Sequence, residues 1–190
     1  MVKNLREIYQ IKVQLKGIRP PIWRRVLISD SVKLDELHHT IQIVMGWHNC
    51  HLHQFITQDG RYGMKADDFD SGWEDDLVDE CKVKIKDVFS HEGDSVLYEY
   101  DFGDGWEHKI TLEKILPFDN KQILPCCVKG KRGCPPEDVG GIWGYEEFIE
   151  KWVDENHPEH EDMRGWAEDF QGPEYFDLAE TNLLLHEMLS

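Results

Sequence analysis

The chain has 190 residues, of which 40% are hydrophobic and 31% charged, with a formal net charge of −17. This length fits one domain, or one with an appendage, and the composition excludes a disordered chain, a collagen-like repeat and a disulfide-dense miniprotein. So acidic a chain does not bind a nucleic-acid backbone through its whole surface, and no window approaches the roughly 18 apolar residues of a membrane-spanning helix.

Residues 7–15 alternate, with Ile11, Val13 and Leu15 opposing Lys12 and Gln14, which predicts a strand. Gly17 and Pro20-Pro21 break it, and residues 22–28 predict a second strand. Ser31 is placed to cap a helix beginning near Leu34. Leu34, Leu37, Ile41, Val44 and Met45 form one helical stripe, which Gly46 ends. A third strand is expected over 51–57. Residues 59–80, with Asp67, Asp68, Asp70, Glu74, Asp75 and Asp76, read as a long surface loop.

Residues 83–89 form a short apolar-alternating piece. Residues 95–102 and 106–115 are β-rich runs flanking Gly103-Asp104-Gly105, a strong hairpin signal. The order β-β-α-β-β-β predicts an α+β fold, a mixed sheet with a grasp-like or roll-like core and one packed helix. Residues 117–144 hold four prolines, five glycines and three cysteines, and read as a turn-rich loop. Helical patterning follows around Tyr145–Val153, Met163–Phe170 and Leu178–Leu189. One domain over 1–190 is expected, with a sheet-rich body (1–116) and a helical C-terminal part (117–190).

Charge is unevenly placed. Residues 1–33 carry eight Lys/Arg against two acids, whereas 137–190 carry sixteen acids against Lys151 and Arg164. Such asymmetry marks either a partner surface or an internal pairing of basic with acidic segments. Arg19, Arg24 and Arg25 are the candidate contacts for a protein partner. Nucleic acid is the weakest partner class for this chain.

Three clusters carry candidate chemistry. His38, His39, His48, His51 and His53 fall within sixteen residues, and period-2 geometry puts His51 and His53 on one strand face. Asp101, Asp104, Glu107 and His108 bracket the hairpin turn. His51, His53, Asp101, Asp104 and His108 would together suit a divalent metal such as zinc, with hydrolytic chemistry, if the two segments converge. Ordinary turn capping explains the same aspartates otherwise. Cys126, Cys127 and Cys134 are the alternative metal set, although the paired spacing of structural zinc sites is missing. Five cysteines, an odd count, and no apolar run after Met1 argue for reduced thiols and a cytoplasmic protein. No phosphate-binding loop, nucleophile elbow or His-Glu-x-x-His motif occurs.

Several motifs recur together in one known family. They are Ile18-Arg19-Pro20-Pro21-Ile22-Trp23-Arg24-Arg25, Met45-Gly46-Trp47, His51-Leu52-His53-Gln54-Phe55, Tyr100-Asp101-Phe102-Gly103-Asp104-Gly105-Trp106-Glu107-His108, and Cys134-Pro135-Pro136-Glu137-Asp138-Val139-Gly140-Gly141 with Gly144-Tyr145. On these residues the chain resembles the plasmid pRiA-type ORF-three-like family, whose members are also labelled insertion-element passenger proteins with a TnpR tag. The resemblance implies a single α+β domain and genomic company with mobile elements. It carries no recombinase activity, because the serine-recombinase pattern and a helix-turn-helix reader are both missing from the sequence. A non-enzymatic binding or adaptor module is the leading expectation, and the metal-dependent site is its alternative.

Overall fold

The computed structural model describes residues 6–65 and 76–189. β1 (Glu7–Leu15) and β2 (Trp23–Ser29) pair antiparallel, and α1 (Leu34–Met45) follows. Then come β3 (His53–Ile56), β4 (Arg61–Gly63) and β5 (Leu77–Asp79), a 3₁₀ turn at Glu80–Lys82 and the single-turn α2 (Ile85–Val88). β6 (Ser95–Tyr100), β7 (Trp106–Pro117) and β8 (Cys126–Lys131) complete one sheet, ordered β5-β4-β3-β6-β7-β1-β2-β8. All neighbours are antiparallel except β4 and β5. α3 (Gly141–Val153), α4 (His160–Trp166) and α5 (Leu178–Leu189) follow the sheet. The fold is α+β with a mixed sheet. Among the described residues, no helix is long and apolar enough to cross a membrane.

The alternation of β1 buries Ile11, Val13 and Leu15 completely or nearly so, as its period-2 pattern requires. Leu34, Leu37, Ile41, Val44 and Met45 of α1 enter the same core as Phe55, Tyr98, Ile110 and Leu112. Gly46 ends α1 in the left-handed conformation, its N–H returning to the Gln42 carbonyl at 2.9 Å. The cap at the other end differs from expectation. Ser31 bonds Ser29, and the Glu36 carboxylate reaches back to the Lys33 N–H at 2.8 Å.

Two further departures concern loops. The stretch read as a long loop over 59–80 contributes β4 and β5 to the sheet, while Asp67, Asp68, Asp70, Glu74 and Asp75 lie outside the described residues. Within the turn-rich stretch 117–144, Cys126–Lys131 forms β8 on the outer side of β2. β8 presents an open edge, and α5 covers part of it. The Asn182 amide accepts from Cys127 N–H and donates to Cys127 C=O, both at 2.8 Å. One side chain thereby satisfies both backbone groups of a sheet-edge residue.

Candidate functional site

Three connections meet beside the β3–β6–β7 end of the sheet: residues 46–52 after α1, the hairpin turn 101–105, and residues 134–140 before α3. Each is held by specific bonds. Asp101 N–H donates to Leu52 C=O at 2.9 Å, joining the hairpin to the first connection. The Trp47 indole donates to Pro135 C=O at 3.0 Å and stacks on Tyr100 with ring centres 5.0 Å apart. The Asp104 carboxylate accepts from Gly140 N–H at 3.1 Å. Gly141, at φ +69°, lets α3 approach the hairpin so closely that a Cβ there would lie 2.6 Å from Asp104 C=O.

A closed ring of hydrogen bonds fixes the first connection. Asn49 N–H donates to Gln42 Oε1, and Gln42 Nε2 donates to the Tyr98 hydroxyl, both at 3.0 Å. The Tyr98 hydroxyl pairs with His38 Nδ1, and His38 Nε2 with Asn49 Oδ1, both at 2.7 Å. Because the Asn49 oxygen only accepts, His38 Nε2 carries the proton and Nδ1 accepts from Tyr98. Burial pushes His38 down to about 3, with His53 adding to the shift, so its imidazole is neutral.

The side chains left facing one another are His51, Asp101, Glu137 and Asp138. His51 Nε2 lies 3.7 Å from Asp101 Oδ2, 3.7 Å from Glu137 Oε2 and 3.2 Å from Asp138 Oδ1. Asp101 and Glu137 each engage one carboxylate oxygen in the scaffold. Asp101 Oδ1 accepts from Gly103 and Asp104 N–H, and Glu137 Oε1 accepts from His48 N–H and the Tyr100 hydroxyl. The other oxygens turn toward His51. His51 Nε2 and Glu137 Oε2 are buried and make no hydrogen bond. A buried polar atom without a partner is rare in a folded protein and calls for an explanation such as an ion.

Backbone strain collects at the same place. Among the described residues, four non-glycine residues have positive φ, and three of them, Asn49, Asp101 and Asp138, lie in these three connections. Such conformations cost energy and persist where the surroundings enforce them, often at functional sites.

The geometry sorts the residues singled out in the sequence. His51 and Asp101 converge. His53 does not join them, because β3 starts at His53 and His51 precedes it. His53 Nε2 pairs with Glu80 at 2.8 Å, and its ring stacks on His38 at 3.4 Å. His108 is wholly buried, edge-on to Trp47, and burial pushes it down to about 3. Asp104 anchors the α3 connection instead. The three cysteines are not drawn together: the group of metal-ligating side chains found among the described residues contains no thiol. Burial pushes Cys127 up to about 11 and raises Cys126 and Cys134, the last accepting from Arg24 at 3.2 Å.

Arg24 is also reassigned. Its five N–H donors meet the carbonyls of Val44, Trp23, Lys131 and Arg132 and the Cys134 sulfur, so nothing remains for a partner. Arg25 pairs with Glu113 at 2.8 Å. Arg19 alone of the three is exposed. Glu137 and Asp138, which face His51, were not among the candidate site residues of the sequence. Their signal was an acidic pair held between Pro135-Pro136 and Gly140-Gly141, a stiff entry and a permissive exit.

The family model of the plasmid pRiA4b ORF-3-like proteins matches residues 7–183. The chain belongs to this family. The uncharacterized protein y4hQ of Sinorhizobium fredii is 36% identical over 176 residues, covering 92% of this chain and 86% of that protein. The crystal structure of MM3350, a protein of unknown function from Methanosarcina mazei Go1, has a TM-score of 0.83 and 41% identity. That match covers 93% of this chain and 98% of that one.

Proposed function

We propose that this pRiA4b ORF-3-like protein binds a divalent metal ion between His51, Asp101 and Asp138, whose ligand atoms lie within 4.8 Å of one another, with Glu137 beside His51 as the fourth group, and that the ion serves metal-dependent chemistry, hydrolysis above all. The observation that carries this reading is the pair of buried, unbonded atoms His51 Nε2 and Glu137 Oε2 facing each other at 3.7 Å. A first-row ion bonded at about 2.0–2.2 Å draws its ligand atoms to roughly 3–4 Å of one another. Separations of 3.2–3.7 Å from His51 Nε2 fit that span. One imidazole with carboxylates suits zinc or manganese and does not resemble a thiolate-bound structural zinc. The Asp138 side chain is 73% exposed, so solvent and substrate reach this side of the site. An ion held there polarises a bound water or a substrate oxygen.

Elemental mass spectrometry on protein purified without chelator, then supplemented with zinc or manganese, tests the reading. Near-stoichiometric metal is expected in the wild type and in Cys134→Ala, and loss of it in His51→Ala and Asp101→Asn. Absence of metal from supplemented wild-type protein overturns it.

A further inference from the structure

The bases of residues 6–33 do not neutralise the acidic C-terminal part. Arg25 and Lys16 pair with Glu113 and Glu107 of β7. Among the described residues, Lys and Arg ion pairs to acids of 137–189 are few, formed by Lys151 with Glu147 and Glu159 and by Arg132 with Glu174. A groove of about 890 Å³ runs between the end of α1, the 133–138 connection, the segment after α4 and the start of α5. Glu137, Asp138, Glu168, Asp169, Asp177 and Glu180 line it. Arg24 is the one Lys or Arg in the lining, and its donors are all engaged.

The floor of the groove includes the nearly buried Val44 and Met45 and the part-exposed Leu184, and two aromatic rings stand open in its wall. Trp166 is 50% exposed and Tyr175 45% exposed. Carboxylates beside open aromatic faces are the chemistry that recognises guanidinium and ammonium groups. One cation already lies over an aromatic face here, the Arg24 guanidinium 4.1 Å from the centre of the Phe176 ring.

We infer that this groove binds a basic peptide segment of a protein partner, with Lys or Arg side chains between the carboxylates and the aromatic rings and aliphatic side chains on the floor. The binding goes beyond the metal reading and stands without it: Glu137 and Asp138 are shared with that site, but Glu168, Asp169, Asp177, Glu180, Trp166 and Tyr175 are not. Charge complementarity selects the occupant: an acidic segment meets six carboxylates against His48 and no free Lys or Arg, and a neutral apolar segment leaves them unpaired.

Fluorescence anisotropy with a labelled Lys/Arg/Leu peptide, and with an Asp/Glu/Leu peptide as comparison, tests the inference. The full-length protein is titrated in low salt, once with chelator and once with added zinc. The basic peptide is expected to bind in both conditions, and added salt to weaken it. The triple variant Glu168→Gln, Asp169→Asn, Glu180→Gln, and separately Trp166→Ala, are expected to weaken binding about tenfold or more. Glu161→Gln with Asp162→Asn, exposed acids outside the groove, is expected to leave it unchanged. Equal binding of the acidic peptide, wild-type binding by the groove variants, or equal weakening by the outside pair overturns the inference. Loss of metal binding with peptide binding retained overturns only the metal reading.

Discussion

Two histidine clusters lie a few residues apart in sequence and could hardly be treated more differently by the fold. Around His38 and His53 the side chains are paired: His38 in a ring with Tyr98, Gln42 and Asn49, and His53 on Glu80. Around His51, polar atoms face one another without bonding. The first arrangement is complete as it stands and stabilises the core. The second leaves His51 Nε2 and Glu137 Oε2 without a hydrogen bond. Crowding of histidines in sequence therefore says little about a ligand; unbonded atoms that face one another, as His51 Nε2 and Glu137 Oε2 do, say more.

The comparison breaks most visibly at Glu80. Glu80→Ala leaves the buried His53 imidazole without its partner and is expected to cost about 1–3 kcal/mol in urea unfolding, with metal content unchanged. If metal is lost instead while stability holds, the roles of the two clusters are reversed.

A pH series sharpens it next. His38 and His108 both have folded pKa values pushed down to about 3, against about 6.5 for an unfolded histidine. The fold favours their neutral forms, so this stabilisation is complete above about pH 6.5 and is lost as pH falls from there toward about 3. Unfolding free energy measured downward from neutrality should fall by a few kcal/mol over that window. A flat profile would mean that neither ring is held neutral.

Tyr100→Phe should have a smaller effect. Its hydroxyl donates to Glu137 Oε1 at 3.0 Å and accepts from Cys50 N–H at 3.1 Å. Stability should drop by about 1 kcal/mol and metal affinity by roughly tenfold or more, both readable by calorimetry. Smallest is Glu137→Gln in metal-free protein. Removing one carboxylate charge from a group of three should raise the unfolding midpoint slightly while abolishing metal uptake. Lower metal-free stability would show that the carboxylates already have adequate partners.

Local pattern accounts for what the sequence disclosed. The alternation of β1, the stripe of α1 with Gly46 behind it, and the Asp-Gly hairpin are short-range signals, and each element formed where its signal lay. His51 and Asp101 were visible because imidazole and carboxylate types beside a turn are conspicuous. What stayed hidden depended on distant pairing. β8 acquires strand character by joining β2, about a hundred residues earlier in the chain. Glu137 becomes a site residue only because Tyr100 and His48 hold one of its oxygens and turn the other inward. Arg24 looked like a surface cation, since arginine usually is one, and its burial among four carbonyls needed the third dimension.

The Asn182 clamp on Cys127 bears on how the molecule avoids self-association. An amide side chain lying across β8 imitates the one ladder rung that a neighbouring molecule would otherwise supply. A chain shortened before Leu178 uncovers that rung, and Asn182→Leu leaves it unpaired beneath an intact helix. Both should therefore form strand-to-strand polymers more readily than the wild type, with the shortened chain the faster of the two.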